Sequence, residues 1–198
     1  DSYYFQMPVS SMSMKDDFRE FFSDLPEDWK RERFVPAVGP EDAEVMMIGE
    51  APGENEVEQN EPFVGRAGKR LDETLKEIGV DRSEIYITNL VKVRPPENRD
   101  PKKEEIERWK PLLEKEVEKV DPEKIVTLGN FASRQMLDTS DGISSIHGEV
   151  FSRRGYKIVP VFHPAATLYD PSNRPKLRED LKKAFGKSES PQRKLSDL

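Results

Sequence analysis

Short apolar runs alternate with longer amphipathic segments along most of the chain. Four runs predict β-strands, at Val45–Ile48, Glu84–Val91, Lys124–Leu128 and Tyr156–Phe162. The first three are mostly apolar without strict alternation, which is typical of strands buried on both faces of a parallel sheet. Val150-Phe151 and the turn residues Arg153-Arg154-Gly155 precede the last run, so a hairpin or a pair of edge strands is expected there.

Between these runs, apolar residues recur at the spacing of a helical face. Leu71, Leu75 and Ile78 form one such face, and Gly79 follows as a helix stop. Further helices are predicted at 101–120, 130–137 and 175–185. The alternation of strands and helices predicts an α/β fold, a three-layer αβα sandwich with a central, mostly parallel four-stranded sheet.

The two ends of the chain fall outside this alternating pattern. Residues 1–6 look like the end of a tag-cleavage linker, and residues 187–198 are polar and are predicted to be disordered. Residues 7–43 combine a short predicted helix at Lys15–Ser23 with a polar, proline-punctuated arm. This division leaves residues 44–186 as the αβα domain.

The composition narrows the chemistry that the chain can carry. It has no Cys, which excludes disulfides, a thiol nucleophile and cysteine-ligated metals, and two His are too few for a histidine-rich metal site. A net charge of -7 argues against a general nucleic-acid coat but allows a local basic face. No apolar run reaches the length of a membrane span and no signal peptide is recognisable, so we expect an intracellular, cytoplasmic protein. We also expect it to be a monomer.

The loop after the first predicted strand carries an unusual set of side chains. Glu50, Glu54 and Glu56 lie on a sharp break of Gly and Pro residues, at the strand end where open α/β sheets bind ligands. Phe63 follows on the same loop, and residues 65–68 then open a helix whose backbone N–H groups can receive a phosphate. An ordinary β–α turn with solvated glutamates is an equally good interpretation of these residues alone.

Two more polar residues follow predicted strands. Asn89 ends the second strand and His163 comes directly after the last one. Each alone is more often a turn residue or a structural histidine. Because the carboxyl ends of parallel strands meet at one edge of a sheet, Asn89, His163 and Phe63 are expected to converge, which favours a ligand site.

Several motifs, taken together, resemble the uracil-DNA glycosylase superfamily. They are Gly-Glu-Ala-Pro-Gly at 49–53, Pro-Phe-Val-Gly-Arg-Ala-Gly at 62–68, Ile-Thr-Asn at 87–89, Lys-Val-Arg-Pro-Pro-Glu-Asn-Arg at 92–99 and His-Pro-Ala-Ala at 163–166. They follow the superfamily's order and are most similar to its family-four, thermostable iron–sulfur type. The resemblance implies a DNA repair enzyme that flips uracil out of DNA, cleaves its N-glycosidic bond and leaves an abasic site.

The chain departs from this family at its iron–sulfur cluster, which the family holds with four cysteines. Val93 and Trp109 stand where two of these are expected, and the other two are missing from the arm within residues 24–38. No metal, cluster or other cofactor is therefore predicted. Either the cysteines were engineered out or apolar packing replaces them. In the second case Val93 and Trp109 would pack against the arm residues Leu25, Trp29, Phe34 and Val35.

The resemblance also implies how uracil is held. Phe63 is the candidate stacking platform for the ring. Asn89 can accept a hydrogen bond from N3–H and donate one to O4, a pattern that cytosine reverses. His163 can donate to O2, where negative charge develops as the glycosidic bond breaks.

A carboxylate is expected to stabilise the oxocarbenium-like sugar or to orient the attacking water. Glu50 and Glu56 are both candidates, and the sequence does not separate them. The backbone N–H of Ala51 is expected to face the base.

Contacts to the DNA are implied on either side of this pocket. Leu168 and Tyr169 follow the His-Pro-Ala-Ala motif, where a wedge side chain would fill the vacated base stack, and core or surface packing is an equal alternative for both. Five basic residues are candidate phosphate contacts, with a solvated surface position as the alternative for each: Arg66, Lys69, Lys92, Arg94 and Arg99.

Two other functions stay open at this point. The first is a non-catalytic or weakly catalytic binder of uracil-containing or single-stranded DNA, and single-turnover release of uracil distinguishes it from an enzyme. The second is the same reaction on another base such as hypoxanthine, which Asn89 and Phe63 disfavour. The sequence identifies neither a strand preference nor a clamp or repair partner.

Overall fold

A computed structural model describes Phe18, Glu20, Phe21, Ser23 and residues 34–187. Its centre is a five-stranded sheet in the order β2-β1-β3-β5-β4. The strands are β1 (Val45–Gly49), β2 (Ile85–Asn89), β3 (Lys124–Leu128), β4 (Phe151–Arg153) and β5 (Tyr156–Val161). All neighbouring strands are parallel except β4 and β5, which confirms the predicted α/β fold with a mostly parallel sheet.

The predicted number of four strands is wrong, because β4 adds a fifth at the outer edge of β5. Arg154 and Gly155 connect the two strands with φ angles of 50° and 89°, the left-handed geometry of a tight two-residue hairpin turn. β4 has only three residues and none of them is fully buried. Its sequence therefore indicated no more than a hairpin or a pair of edge strands.

Helices cover both faces of the sheet. Between residues 34 and 187 they are α1 (Glu54–Gln59), α2 (Arg66–Glu77), α3 (Lys103–Val120), α4 (Asn130–Leu137), α5 (Ile143–Ile146), α6 (Ala166–Tyr169) and α7 (Asn173–Ala184). The amphipathic segments of the sequence form α2, α3, α4 and α7, close to the predicted bounds. The short helices α1, α5 and α6 were not predicted, because four to six residues are too few to show a helical period.

The core consists of two layers separated by the sheet. In β1, the side chains of Met46 and Ile48 pack toward one layer and that of Met47 toward the other, as the alternation of strand side chains requires. The first layer includes apolar residues of α3, α4 and α5, and the second includes those of α2 and α7. This arrangement is the predicted αβα sandwich.

The described part of the arm runs antiparallel to β2 and to the segment that follows it. Val38 forms a β-bridge with Ile87, and Phe34 forms one with Val93. Between them, the backbone N–H of Val35 donates to the carbonyl of Lys92 at 2.8 Å. The predicted tag remnant, the arm residues Leu25 and Trp29, and the predicted tail apart from Lys187 lie outside the described residues. Within the described part of the chain, no helix has the length and apolarity needed to cross a membrane.

Candidate active site

A cavity of about 490 Å³ opens at the carboxyl ends of β1, β2 and β5. We call it the strand-end cavity. It brings together ten of the residues that the sequence singled out: Glu50, Ala51, Glu56, Phe63, Arg66, Asn89, Arg99, His163, Leu168 and Tyr169. Lys69, Lys92 and Arg94 do not line it. The cavity lies where ligands bind in open α/β sheets, and its size is that of a small-molecule site.

Asn89 ends β2 and is 3% exposed. Its Oδ1 atom is buried and has no hydrogen-bond partner among the described residues. The absence of a side chain at Gly49 allows this arrangement, because a Cβ there would lie 2.4 Å from Asn89 Oδ1 and 2.5 Å from Phe63 Cζ. Asn89 and Phe63 therefore approach each other over a glycine at the end of β1.

Phe63 is held in an unusual backbone conformation on the cavity wall. Its φ angle is 55°, a left-handed value that is rare for an aromatic residue and needs support from its surroundings. Arg82 provides such support, since Nη1 donates to the carbonyl of Phe63 at 3.0 Å and Nη2 to that of Pro62 at 2.7 Å. The guanidinium is itself paired with Asp72 at 2.7 Å.

His163 follows β5 and packs near Phe63, with 5.9 Å between the ring centroids. The backbone N–H of Ala165 donates to Nδ1 of His163 at 3.2 Å. An acceptor Nδ1 carries no proton in the neutral ring, so Nε2 carries it and can donate. Burial lowers the pKa of His163 to about 4, against the opposing charge of Glu56. The ring is therefore neutral at physiological pH.

The two candidate carboxylates differ in their surroundings. Burial, assisted by the charge of Asp100, raises the pKa of Glu50 to about 7. Glu56 instead accepts from three backbone N–H groups of its own loop, those of Gly53 at 3.1 Å, Val64 at 3.0 Å and Gly65 at 2.8 Å. Its carboxylate joins the start of α1 to the start of α2, which is a structural use of the charge.

The structure contradicts one of the predicted DNA contacts, that of Lys92. Its side chain is 1% exposed and its Nζ atom lies 2.5 Å from Oε2 of Glu116, which is itself fully buried. Nζ also donates to Thr88 Oγ1 and, at 2.9 Å, to the backbone carbonyl of Asn89. The interpretation as a phosphate contact is wrong because the ammonium group points into the protein and does not reach the surface.

The other four basic candidates stay near the surface. Arg66 lines the cavity and Lys69 lies one helical turn further along α2, and both are exposed. Arg94 pairs with Glu54 at 3.5 Å, and Arg99 forms two hydrogen bonds with Glu105, at 2.7 and 2.8 Å. A phosphate contact by Arg94 or Arg99 would compete with these carboxylates, whereas Arg66 and Lys69 form no ion pair within the described residues.

The wedge candidates lie on α6 at the rim of the strand-end cavity. Leu168 is 36% exposed and Tyr169 is 82% exposed. Large apolar side chains with such exposure are not part of the core, so the core-packing alternative does not apply to Tyr169.

The residues at the family's cluster positions do not fit an iron–sulfur cluster. Trp109 is fully buried and Val93 is 5% exposed. The Trp109 ring lies 5.4 Å from that of Phe21 and 5.9 Å from that of Phe34, and Phe18 packs on Phe34 at 5.6 Å. We call these five residues the aromatic plug. It confirms the predicted contact of Trp109 and Val93 with Phe34, and adds two rings from the preceding helical residues.

The residues around Trp109 and Val93 also lack the ligands that an iron–sulfur cluster needs. The sequence contains no cysteine, and a cluster needs cysteine thiolates. Within the described residues no group of three or more His, Asp or Glu side chains is placed to hold a metal ion.

The sequence did not indicate two residues whose side chains bind segments that carry the site. Arg82 lies 19 positions from Phe63 in a polar turn, and no local pattern marks it. Glu116 has a recognisable signal, because it interrupts the buried face that Leu112, Leu113 and Val117 form on α3. A charged residue on the buried face of a helix requires a partner, and here the partner is Lys92.

The sequence also matches known proteins over most of its length. Residues 36–186 match the family described as the Uracil DNA glycosylase superfamily. The chain is 43% identical over 162 residues to the type-4 uracil-DNA glycosylase of Archaeoglobus fulgidus, covering 78% of this chain and 79% of that protein. It is 39% identical over 158 residues to the type-4 enzyme of Thermotoga maritima, covering 78% and 82%. The type-4 enzyme of Saccharolobus solfataricus is 44% identical over 165 residues, covering 78% and 76%. The chain therefore belongs to the uracil-DNA glycosylase superfamily.

Proposed function

We propose that this protein is a monofunctional uracil-DNA glycosylase, which removes uracil from DNA during repair and leaves an abasic site. The observation that carries the proposal is the buried Oδ1 atom of Asn89, which has no partner within the described residues and belongs to a residue of the strand-end cavity. An unpaired buried acceptor costs about 1–3 kcal/mol. A ligand with a matching N–H group, such as N3–H of uracil, removes that cost.

The walls of the cavity suit a planar base that has been flipped out of the duplex. The ring of Phe63 offers a stacking surface, and the amide of Asn89 offers an acceptor for N3–H and a donor for O4. Cytosine presents the reverse pattern at these two positions, so its binding leaves both amide groups of Asn89 mismatched. Mismatched buried polar groups are the basis of strong discrimination.

His163 supports the departure of the base. The bond between C1′ and N1 breaks with both electrons moving to N1, and the negative charge spreads to O2. A neutral imidazole that donates from Nε2 stabilises this charge without transferring its proton, as the low pKa of His163 favours. The uracil anion is then protonated by solvent.

Glu50 is the carboxylate that suits the attack on the sugar. Glu56 is engaged by three backbone N–H groups, which leaves Glu50 as the freer of the two. Ionised Glu50 stabilises the oxocarbenium-like sugar and accepts a proton from water as the water oxygen adds to C1′. Ala51 lines the same cavity, which supports the proposal that its backbone N–H faces the base.

The surroundings of the cavity suit DNA. Leu168 and Tyr169 project at its rim, where an inserted side chain can replace the flipped base in the stack. Arg66 and Lys69 supply positive charge on the neighbouring face of α2, in a position to contact phosphates on either side of the flipped nucleotide.

Release of free uracil under single-turnover conditions tests this function. Oligonucleotides that contain G·U, A·U or single-stranded uracil are incubated with excess enzyme, and matched oligonucleotides with hypoxanthine or cytosine serve as controls. We expect uracil to be released and cytosine to be retained. Tight binding of uracil-containing DNA without any release would identify a binding protein instead, and preferential release of hypoxanthine would refute the assignment of Asn89.

A further inference from the structure

Behind Asn89 lies a buried polar network that the proposed mechanism does not use. Its members are Lys92, Glu116, Thr88 and Tyr86, each at most 2% exposed. Glu116 accepts from Tyr86 Oη at 3.2 Å and from Thr88 Oγ1 at 3.0 Å, and pairs with Lys92 at 2.5 Å. The network joins β2 to α3 at the strand end that carries Asn89.

We infer that Lys92 and Glu116 are positioning residues for Asn89, and that they set the direction of its side-chain amide toward the base. This inference rests on the proposed function, because the direction of the amide matters only if Asn89 binds a base. The contacts of Lys92 and Glu116 do not depend on that function. It assigns Lys92 a role inside the protein, in place of the DNA contact that its sequence position indicated.

The ammonium group of Lys92 has all of its donors in use. It has three N–H bonds, and they are directed to Thr88 Oγ1, to Glu116 Oε2 and to the backbone carbonyl of Asn89. The hydrogen bond to the Asn89 carbonyl fixes the peptide group between Asn89 and Leu90. Because Lys92 is only three residues beyond Asn89, the bond also closes the turn by which the chain leaves β2.

The network and the amide lie on opposite faces of the strand. Successive strand side chains alternate, so Thr88 faces α3 while Asn89 faces Gly49 and Phe63. The backbone on the Asn89 side is fixed as well, since Leu90 N donates to the carbonyl of Gly49 at 2.9 Å and Val91 N to that of Glu50 at 3.2 Å. Asn89 is thereby held from the front by β1 and from behind by Lys92.

Stability alone does not account for such a pair. Replacement of a buried ion pair by apolar residues of similar size is often neutral or stabilising. A fixed direction of the Asn89 amide does account for it, because a displacement of about 1 Å in a catalytic group can lower a rate about a hundredfold. The buried Oδ1 of Asn89 itself has no hydrogen-bond partner among the described residues, so its direction depends on how the backbone of Asn89 is held.

The test compares the double variant Lys92→Met/Glu116→Leu with Lys69→Met. The double variant removes both charges, so no buried charge is left unpaired, and Lys69→Met makes the same lysine change on the exposed face of α2. Each is made in the parent and in the Asn89→Ala background, and the thermal midpoint, the single-turnover rate and the DNA affinity at several salt concentrations are measured. The Asn89 side-chain amide is also followed by NMR with ¹⁵N labelling.

We expect the double variant to melt within about 5 °C of the parent and to lose about 10- to 100-fold in single-turnover rate. Its salt dependence should be unchanged. In the Asn89→Ala background the same change should have almost no effect on the rate, because a positioning residue acts through the group it positions. Lys69→Met should instead weaken DNA affinity and its salt dependence, equally in both backgrounds.

Two results would overturn the inference. One is a double variant with the parent's rate, and the other is an equal loss of rate with and without Asn89. If the double variant does not fold, Thr88→Val removes a single link of the network with little change of shape and gives the same comparison. Should the parent release no uracil, the proposed function fails, and the NMR measurement still decides the inference: an Asn89 amide signal that is unchanged in the variants refutes it.

Discussion

Burial sets the chemical state of two side chains in the strand-end cavity, and it acts on them in opposite directions. It raises the pKa of Glu50 to about 7 and lowers that of His163 to about 4, because in both cases the charged form is the one that loses hydration. Near neutral pH the cavity therefore holds a carboxyl group at the middle of its titration and an imidazole without charge.

This difference predicts the pH dependence of catalysis. If ionised Glu50 orients the water, the single-turnover rate should rise about tenfold per pH unit below about pH 7 and level off above it. Titration of His163 should add no further change to the pH–rate profile above about pH 4. The measurement is the rate of uracil release between pH 5 and 9, for the parent and for Glu50→Gln, and the variant should lose the dependence near pH 7 along with most of its activity.

The contribution of Glu50 to stability should change with pH in the opposite sense to the rate. The folded state holds the proton of Glu50 up to about pH 7, whereas the unfolded state releases it near its ordinary value of 4.5. The contribution of Glu50 to the free energy of unfolding should therefore fall as the pH rises through this window. His163 contributes in the opposite sense between about pH 4 and its ordinary value of 6.5, because only the unfolded state binds its proton there. Glu50→Gln should remove that part of the decline in denaturant titrations. A rate profile without a limb near pH 7 would exclude Glu50 as the base.

The second prediction for a single residue concerns Asn89. Asn89→Ala removes the amide that pairs with uracil, and we expect it to cost about 2–4 kcal/mol in transition-state binding, or roughly 30- to 900-fold in rate. The fold should be intact, since Asn89 Oδ1 makes no hydrogen bond within the described residues. Asn173→Ala, at a position that does not line the cavity, is the matched control. A folded Asn89→Ala protein that releases uracil at the parent's rate would refute the pocket.

The sequence predicts the position of a site residue well when that residue lies at the end of a strand. Asn89 and His163 were identified because the carboxyl ends of parallel strands meet at one edge, and the structure brings both to the same cavity. Lys92 was misplaced, because it occurs in a basic, proline-rich loop and its partner Glu116 is 24 positions away on α3. The direction of a side chain depends on such distant contacts, and a local pattern does not contain them.

At the scale of elements, the aromatic plug connects the arm to the loop after β2. Trp109 on α3, Phe34 on the arm and Val93 on the loop meet in one cluster, with Phe18 and Phe21 from the helical residues before the arm. The resemblance to the iron–sulfur type implied a metal cluster at the positions of Trp109 and Val93. Here dispersion and apolar burial make the connection, which also holds Lys92 through the hydrogen bond from Val35.

Truncation of the plug should therefore lower stability and loosen the loop. Trp109→Ala is expected to cost about 3–5 kcal/mol and to lower the melting temperature by about 6–20 °C. DNA binding should weaken more than uracil recognition, because the basic loop loses its support while Phe63 and Asn89 keep theirs. Thermal unfolding and the affinities for uracil-containing DNA and for free uracil measure the two effects.

A double-mutant cycle distinguishes a true plug from a general loss of core. Phe21 and Trp109 are in contact, so the effects of Phe21→Ala and Trp109→Ala should not add, with a coupling of about 0.5–1.5 kcal/mol. Trp109 and the edge-strand residue Phe151 belong to different clusters, and their truncations should be additive. Unchanged stability of Trp109→Ala would show that nothing has taken over the cluster's structural role.

The elements themselves were predictable in proportion to their length and periodicity. The helical face of Leu71 and Leu75 and the buried run of β3 have the periods that sequence analysis detects. The six-residue helix α1 has no buried residue and was interpreted as a loop. As a consequence, the use of Glu56 to join α1 and α2 was not foreseen, and the carboxylate was assigned a catalytic role on the same footing as Glu50.

At the scale of the whole molecule, the protein is predicted to work without a metal. The chain has no cysteine, and the cluster positions hold Val93 and Trp109. Elemental analysis of the purified protein should show no stoichiometric iron, and its absorbance should lack the band at about 400 nm of cysteine-ligated clusters. Uracil release should be the same before and after exhaustive chelation. Tightly bound iron, or activity lost on chelation and restored by iron, would contradict this prediction.

The distribution of charge carries the final prediction. The chain has a net charge of -7, so DNA must be attracted by a local basic surface against the repulsion of the rest of the molecule. Arg66 and Lys69 are the exposed cations of α2 beside the strand-end cavity. If each contacts one phosphate, replacement of either residue by Gln should reduce the magnitude of the slope of log affinity against log salt by about 0.9.

The matched control is Lys157→Gln. Lys157 is exposed near the start of β5, at the edge of the sheet opposite the cavity, and its replacement should leave the salt slope unchanged. Affinities for duplex DNA with one uracil, measured at several salt concentrations, provide the comparison. An equal change of slope for Lys157→Gln and Lys69→Gln would mean that only the total charge matters. A change confined to Arg66 and Lys69 would show that DNA follows the face of α2, because counterions are released only where phosphate and cation meet.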